Sequence, residues 1–227
     1  MRSINIYDIL ENRDEVQEGQ LENYSMEQER LLNDYNEVLN TSLSLNGILP
    51  NGYRSFSVLT DKVYDMSVRV FGRQAHQVIQ QELYQAFFKE QNRRENGIGA
   101  LVTLCKQEDS ISVKNILQEH FNMNFTKHNF DILRIIEEAS DVRNAKFNVR
   151  IETVNSISMH GTRVNDTQYY ARLLRNGDLR AVIVSFDTPS QSVTFRISVD
   201  GKILLYSELN ESEILNLVEQ LLDIENN

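Results

Sequence analysis

Residues 60–91 read TDKVYDMSVRVFGRQAHQVIQQELYQAFFKEQ. Apolar side chains at Val63, Tyr64, Val68, Phe71, Val78, Ile79, Leu83 and Phe87 recur at the spacing of an amphipathic helix. Gly72 and the polar run GRQAHQ split the pattern into two helices, and Asn96-Gly97 stops it. The reading of this stretch decides the fold, because it makes the N-terminal half of the chain helical.

The sequence on either side supports the same reading. Residues 25–42, SMEQERLLNDYNEVLNTS, set Ser25 and Gln28 at capping-box spacing. Leu31, Leu32, Tyr35, Val38 and Leu39 follow as one stripe. LSLNGILPNGYRS (43–55) holds two Asn-Gly pairs and Pro50, a loop signature. Three shorter helices are predicted at about 98–107, 112–121 and 127–141. Ser110 or Ser112 caps the second and Thr126 the third, which buries Phe130, Ile132, Leu133 and Ile136.

Near Arg143 the period changes from 3.6 to 2. Phe147, Val149 and Ile151 alternate with Asn148, Arg150 and Glu152. TQYYARLL (167–174), LRAVIVSF (179–186), SVTFRISV (192–199) and KILLYSE (202–208) read as further strands. Asn176-Gly177 and Asp200-Gly201 supply tight hairpin turns. The first turn would pair Leu174 with Leu179 and Tyr170 with Ile183, and on the other face Ala171 with Val182 and Tyr169 with Val184. LRAVIVSF is apolar on both faces and so requires two covers. A C-terminal helix provides one. Its start carries Leu209, an N-cap Asn210, Glu213 at N3 and Ile214 at N4, and its buried stripe is Ile214, Leu217, Val218, Leu221 and Leu222. The helical half, or a second copy of the chain, provides the other.

The expected fold is therefore α+β: a helical N-terminal half followed by a mostly antiparallel, about five-stranded meander sheet closed by a C-terminal helix. The expected divisions are an acidic tether with a short apolar segment (1–24), a helical region (25–142), and the sheet with its helix (143–227).

The composition is that of a soluble globular chain: of 227 residues, 41% are hydrophobic and 25% charged. No stretch reaches the length of a membrane span, and the acidic start does not resemble a secretory signal. One cysteine, Cys105, excludes an intrachain disulfide and points to a reducing, cytoplasmic compartment. The net charge of −10 is uneven. Residues 1–40 carry ten acidic and three basic side chains, and 208–227 six acidic and none basic, so the body between is net positive by three. Such ends solubilise, or they attract a basic protein surface. Sequence-independent nucleic-acid binding is disfavoured, because neutralising phosphates needs a basic excess.

The motifs that carry chemistry are sparse. His76, His120, His128 and His160 lack metal-ligand spacing with Cys105 or with one another, and neither a metal nor an organic cofactor is expected. Cys105 reads as a helix-borne buried thiol. Ser158, His160 and Asp166 are close in sequence but lack a nucleophile elbow. NGIGA (96–100) has two glycines of a phosphate loop and no preceding strand. Asp178 and Asp187 flank a strand as nuclease carboxylates do, without the Glu-x-Lys that should follow. The three helices before the strands have the order of a winged helix. Its recognition helix would set Lys127, His128, Asn129 and Arg134 beside Asp131, Glu137, Glu138 and Asp141, too many acids for a groove reader.

No catalytic residue is assigned. The expected function is a non-catalytic protein-interaction subunit or adaptor of an intracellular assembly. Its partner is a protein with a basic surface, or a second copy of the chain. The partner-binding candidates are Ile4, Ile6, Tyr7, Ile9 and Leu10, an apolar plug on the acidic tether. The alternatives are a hydrolase or nuclease with its site between helical half and sheet, or a winged-helix DNA-binding protein.

Overall fold

A computed structural model describes residues 1–11, 23–89, 99–188 and 191–226. The chain opens on a strand, β1 (Arg2–Glu11), and divides into two compact units. One comprises Ile9–Leu104 and Glu108–Phe125, and the other Met1–Asp8, Cys105–Gln107 and Thr126–Asn227.

The first is a hairpin unit. Its strands β2 (Tyr24–Leu32), β3 (Tyr35–Ile48), β4 (Arg54–Val70), β5 (Arg73–Lys89) and β6 (Ala100–Thr103) pair antiparallel in that order. The expected helical N-terminal half is thus overturned: residues 25–42 are β2 and most of β3, residues 60–89 are β4 and β5, and the predicted 98–107 helix contains β6. The turns explain the error. Asn33 and Asp34 have φ of 47° and 68°, and Phe71 and Gly72 have 46° and 79°. Two successive positive values reverse the chain within two residues, so Leu32 lies opposite Tyr35 and Val70 opposite Arg73. Asn33 also anchors its turn laterally: its Oδ1 accepts from the amides of His76 and Gln77, and its Nδ2 donates to the Gln77 carbonyl. The apolar residues that imitate a helix belong to two faces. Tyr64 and Val78 are a cross-strand pair on one face, Val63 and Ile79 a pair on the other. A pair of apolar neighbours fits a helical stripe as well as a two-sided strand.

The helix α1 (Gln107–Phe121) covers one face of this unit, close to the predicted 112–121 helix. It buries Val113, Leu117 and Phe121. Phe121 packs on Phe56 and Phe88, with ring centroids 5.5 and 5.7 Å apart. Each buried side chain of this size contributes about 1.5–3 kcal/mol. Thr103 and Ser110 share a buried hydrogen bond of 2.7 Å at the start of the helix.

A short strand, β7 (Asn124–Lys127), leads into the second, helix-backed unit. Its further elements are α2 (Ile132–Glu138), β8 (Asp141–Ile151), β9 (Val154–His160), α3 (Gln168–Asn176), β10 (Asp178–Asp187), β11 (Ser192–Ser198), β12 (Lys202–Leu205) and α4 (Glu211–Asn226). The strand order is β1-β12-β11-β10-β8-β9. Strands do form at the positions read for β8, β10, β11 and β12, as does the final helix, but β9 and a helix intervene between β8 and β10, so the five-stranded meander does not hold. The chain turns at Asp200-Gly201 as expected, with Gly201 at φ 71°, but Ser198 pairs with Lys202, so Val199 joins the loop and not the strand. A Cβ at Gly201 would also lie 2.2 Å from the His128 carbonyl oxygen.

TQYYARLL is the second correction. It is the helix α3, capped by Thr167, whose hydroxyl accepts from the Tyr170 amide at 3.2 Å. Asn176-Gly177 is the end of that helix and not a hairpin, so the pairs predicted across it do not form. Gly177 is needed for a different reason: a Cβ there would meet the Asn148 carbonyl oxygen at 2.7 Å. The actual neighbour of β10 is β8, with Ala145 opposite Val182 and Lys146 opposite Ala181.

The two-faced strand β10 resolves accordingly. Val182, Val184 and Phe186 are buried beside Ile197, Phe195 and Val193 of β11. The helix α2 packs on β10 and on α4, whose Ile214, Leu217, Val218, Leu221 and Leu222 are buried as predicted. The helix α3 sets Tyr170 edge-on to Phe147, on the same side of the sheet. On the opposite face, Ala181, Ile183 and Ser185 lie beside Ser198, Arg196 and Thr194. That face carries fewer apolar groups: Ala181 and Ser185 are buried, Ile183 is half-buried, and Thr194, Arg196 and Ser198 are polar, so β10 has one apolar face and not two.

Candidate functional site

The polar face of the helix-backed unit carries a cleft of about 340 Å³. Strand alternation builds it. In β11, Val193, Phe195 and Ile197 turn to the helices, so Arg196 and Ser198 turn the other way. Register then aligns Lys146, Ala181, Ser198 and Lys202 across β8, β10, β11 and β12. Arg180 joins them because the β8–β10 register shifts between Leu179 and Ala181, leaving Arg180 as the extra residue of a bulge. The lining thus holds four cations, Lys146, Arg180, Arg196 and Lys202, one from each of four adjacent strands. None of the four makes an ion pair among the described residues.

One acid, Asp200, shares the lining, and it is already engaged. Its carboxylate accepts from the Ser198 hydroxyl at 2.5 Å and pairs with Lys127 at 3.3 Å. Burial pushes its pKa up, but Ser198 and Lys127 outweigh that and hold it below the usual carboxylate range. Gln107, Asn148 and Ser198 add neutral hydrogen-bonding groups. The placement of Gln107 traces to the first strand: Asn5, wholly buried, donates Nδ2 to the Cys105 carbonyl at 2.9 Å and so ties the 105–107 segment to β1. Aromatic side chains are absent from the lining, whose apolar members are Ala181, Val199 and Leu204.

The sequence-predicted candidates lie elsewhere. Ile4, Ile6 and Tyr7 are buried in the chain's own core, where β1 pairs with β12, and Ile9 is half-buried. The side chain of Leu10 and residues 12–22 of the acidic tether lie outside the described residues. Ser158 and His160 share strand β9, but His160 meets Asn144 and Asp166 pairs with Arg163, so no relay joins the three. Asp178 and Asp187 stand at opposite ends of β10, about 30 Å apart at strand rise. Residues 96–98 of NGIGA lie outside the described residues. The three-helix winged arrangement does not form, because the chain alternates β6, α1, β7 and α2. Within that stretch Lys127 is bound to Asp200 and Arg134 to Asp131. Cys105 is half-buried. The histidines stay apart: His128 pairs with Asp8 at 2.7 Å, His120 packs against Tyr24 with its ring tilted, and His76 sits on β5.

A second charged cluster lies in the hairpin unit and is internally satisfied. Tyr64 and Tyr84 both donate to Glu82, and Lys62 bridges Glu82 and Asp109 of α1. Through Lys62 and Asp109 the cluster ties the helix to the sheet.

The basic cleft was missed by the sequence reading. Its residues are spread over positions 107 to 204, and each cation looks like an ordinary outward residue of a strand. The alternation in TFRIS was the one local signal, placing Arg196 opposite the core. No protein-family model matches the chain, and no curated protein matches it in sequence.

Proposed function

We propose that the protein is a non-catalytic recognition subunit of a larger assembly, and that the basic cleft is where it holds an anionic group. The observation that carries this is the set of four cations, without an ion pair among the described residues, gathered in one cleft of a chain whose net charge is −10. Like charges held together cost free energy when nothing neutralises them, and a bound anion removes that cost. Two arginines favour planar or forked anions, phosphate and carboxylate alike. The non-catalytic reading draws support from the lining itself. Ser198 is its one hydroxyl, and the carboxylate it meets is the low-pKa Asp200, a weak base already paired with Lys127.

Retention of the purified chain on phosphocellulose at neutral pH and low salt tests this. An acidic protein should flow through such a matrix. The parent is expected to be retained and to elute with modest salt, and the Arg196→Glu/Lys202→Glu double variant to flow through with its thermal midpoint little changed. A parent that flows through at low salt overturns the proposal.

A further inference from the structure

We infer that the ligand of this cleft is a small molecule bearing two or more phosphate groups, an inference that rests on the anion-recognition reading. Three features of the lining select it. The first is charge. Four cations face the cleft, and its one acid is neutralised by Lys127. A single carboxylate would leave most of that charge unanswered, whereas two or three linked phosphates match it. The second is span. Lys146 and Lys202 lie on strands three sheet steps apart, about 14 Å at the usual strand spacing, with Arg180 and Arg196 on the two strands between. One phosphate touches a part of such a row, and a chain of phosphates follows it. The third is size and wall chemistry. A volume of about 340 Å³ lies at the lower end of small-molecule sites. With no aromatic side chain in the lining there is no platform for an unstacked base, which disfavours recognition of a single-stranded nucleic acid through its bases. Gln107 and Asn148 can donate to the bridging oxygens of a compact phosphorylated body, and Ser198, whose proton goes to Asp200, can accept from one of its hydroxyls.

Titration calorimetry on the full chain discriminates, using inorganic orthophosphate, pyrophosphate, tripolyphosphate, a single-stranded oligonucleotide and a singly phosphorylated peptide at one ionic strength. Affinity is expected to rise at least tenfold from orthophosphate to tripolyphosphate. Arg196→Gln and Lys202→Gln should each weaken tripolyphosphate at least tenfold, while Arg143→Gln, outside the cleft, should not. Equal affinity for orthophosphate and tripolyphosphate overturns the inference and leaves a single-anion site. An oligonucleotide or phosphopeptide that binds more tightly than tripolyphosphate, and loses affinity in the same variants, also overturns it while sparing anion recognition. A chain that binds none of the probes overturns both.

Discussion

At the scale of single residues, the decisive features are side chains whose neighbours come from distant sequence. Glu82 is the clearest. The Tyr64 hydroxyl first, and then that of Tyr84, hold its carboxyl below the ordinary value of 4.5, against the opposing effect of burial. A depressed carboxyl contributes stability above its unfolded pKa and loses it as pH falls through the folded one. Unfolding midpoints measured from neutral pH down through 4.5 should therefore fall faster for the parent than for Glu82→Gln. The difference should be small, since the group is near the surface and screened by water. Parallel curves would show that this carboxylate contributes nothing to the acid limb. Arg196, Arg180, Lys146 and Lys202 tell the same story for the cleft. Each is an unremarkable strand residue, and the site exists because the register of four strands puts them together.

At the scale of elements, legibility followed the locality of the signal. The helix α4 was readable because its start is encoded within four residues. The Asn210 side chain accepts from the Glu213 amide at 3.0 Å, and Glu213 accepts from the Asn210 amide at 2.8 Å. Replacing Asn210 by alanine should cost about 1 kcal/mol in equilibrium unfolding. A variant as stable as the parent would show that this reciprocal pair is incidental. The strands β8 and β11 were readable from clean alternation over one buried face. The hairpins β2–β3 and β4–β5 were not, because Asn33-Asp34 and Phe71-Gly72 lie within patterns that also fit a helix. Asn33-Asp34 did carry a usable signal, since both residue types tolerate positive φ. Phe71 carried none: a phenylalanine at φ 46° is disfavoured locally and is held there by the ladder on either side. The helix α3 fell to the opposite error, a short amphipathic stretch whose spacing over eight residues suits strand and helix equally.

At the scale of the whole molecule, the N-terminal segment changes meaning. INIYDIL reads as a detachable plug, yet β1 pairs Arg2 with Leu205 and Ile4 with Ile203, and Ile4 and Ile6 are fully buried. The sheet of the helix-backed unit therefore closes between residues two hundred positions apart in the chain. Truncating Ile6 to alanine should cost about 2–5 kcal/mol, read as lost hydrogen-exchange protection in β12 and β10. Undiminished protection would mean that the first strand adds little to that unit. By itself the sequence determined the strands β8, β10, β11 and β12, the turn at Asp200-Gly201, the final helix and its cap, each specified by contacts within a few residues. Tertiary structure alone decided that the N-terminal half is sheet, that β8 and not residues 167–174 pairs with β10, and that four scattered cations share one cleft. The reason is physical: periodicity records which side of an element faces the core, whereas pairing and register are set by free energies of contact between segments that no local window contains.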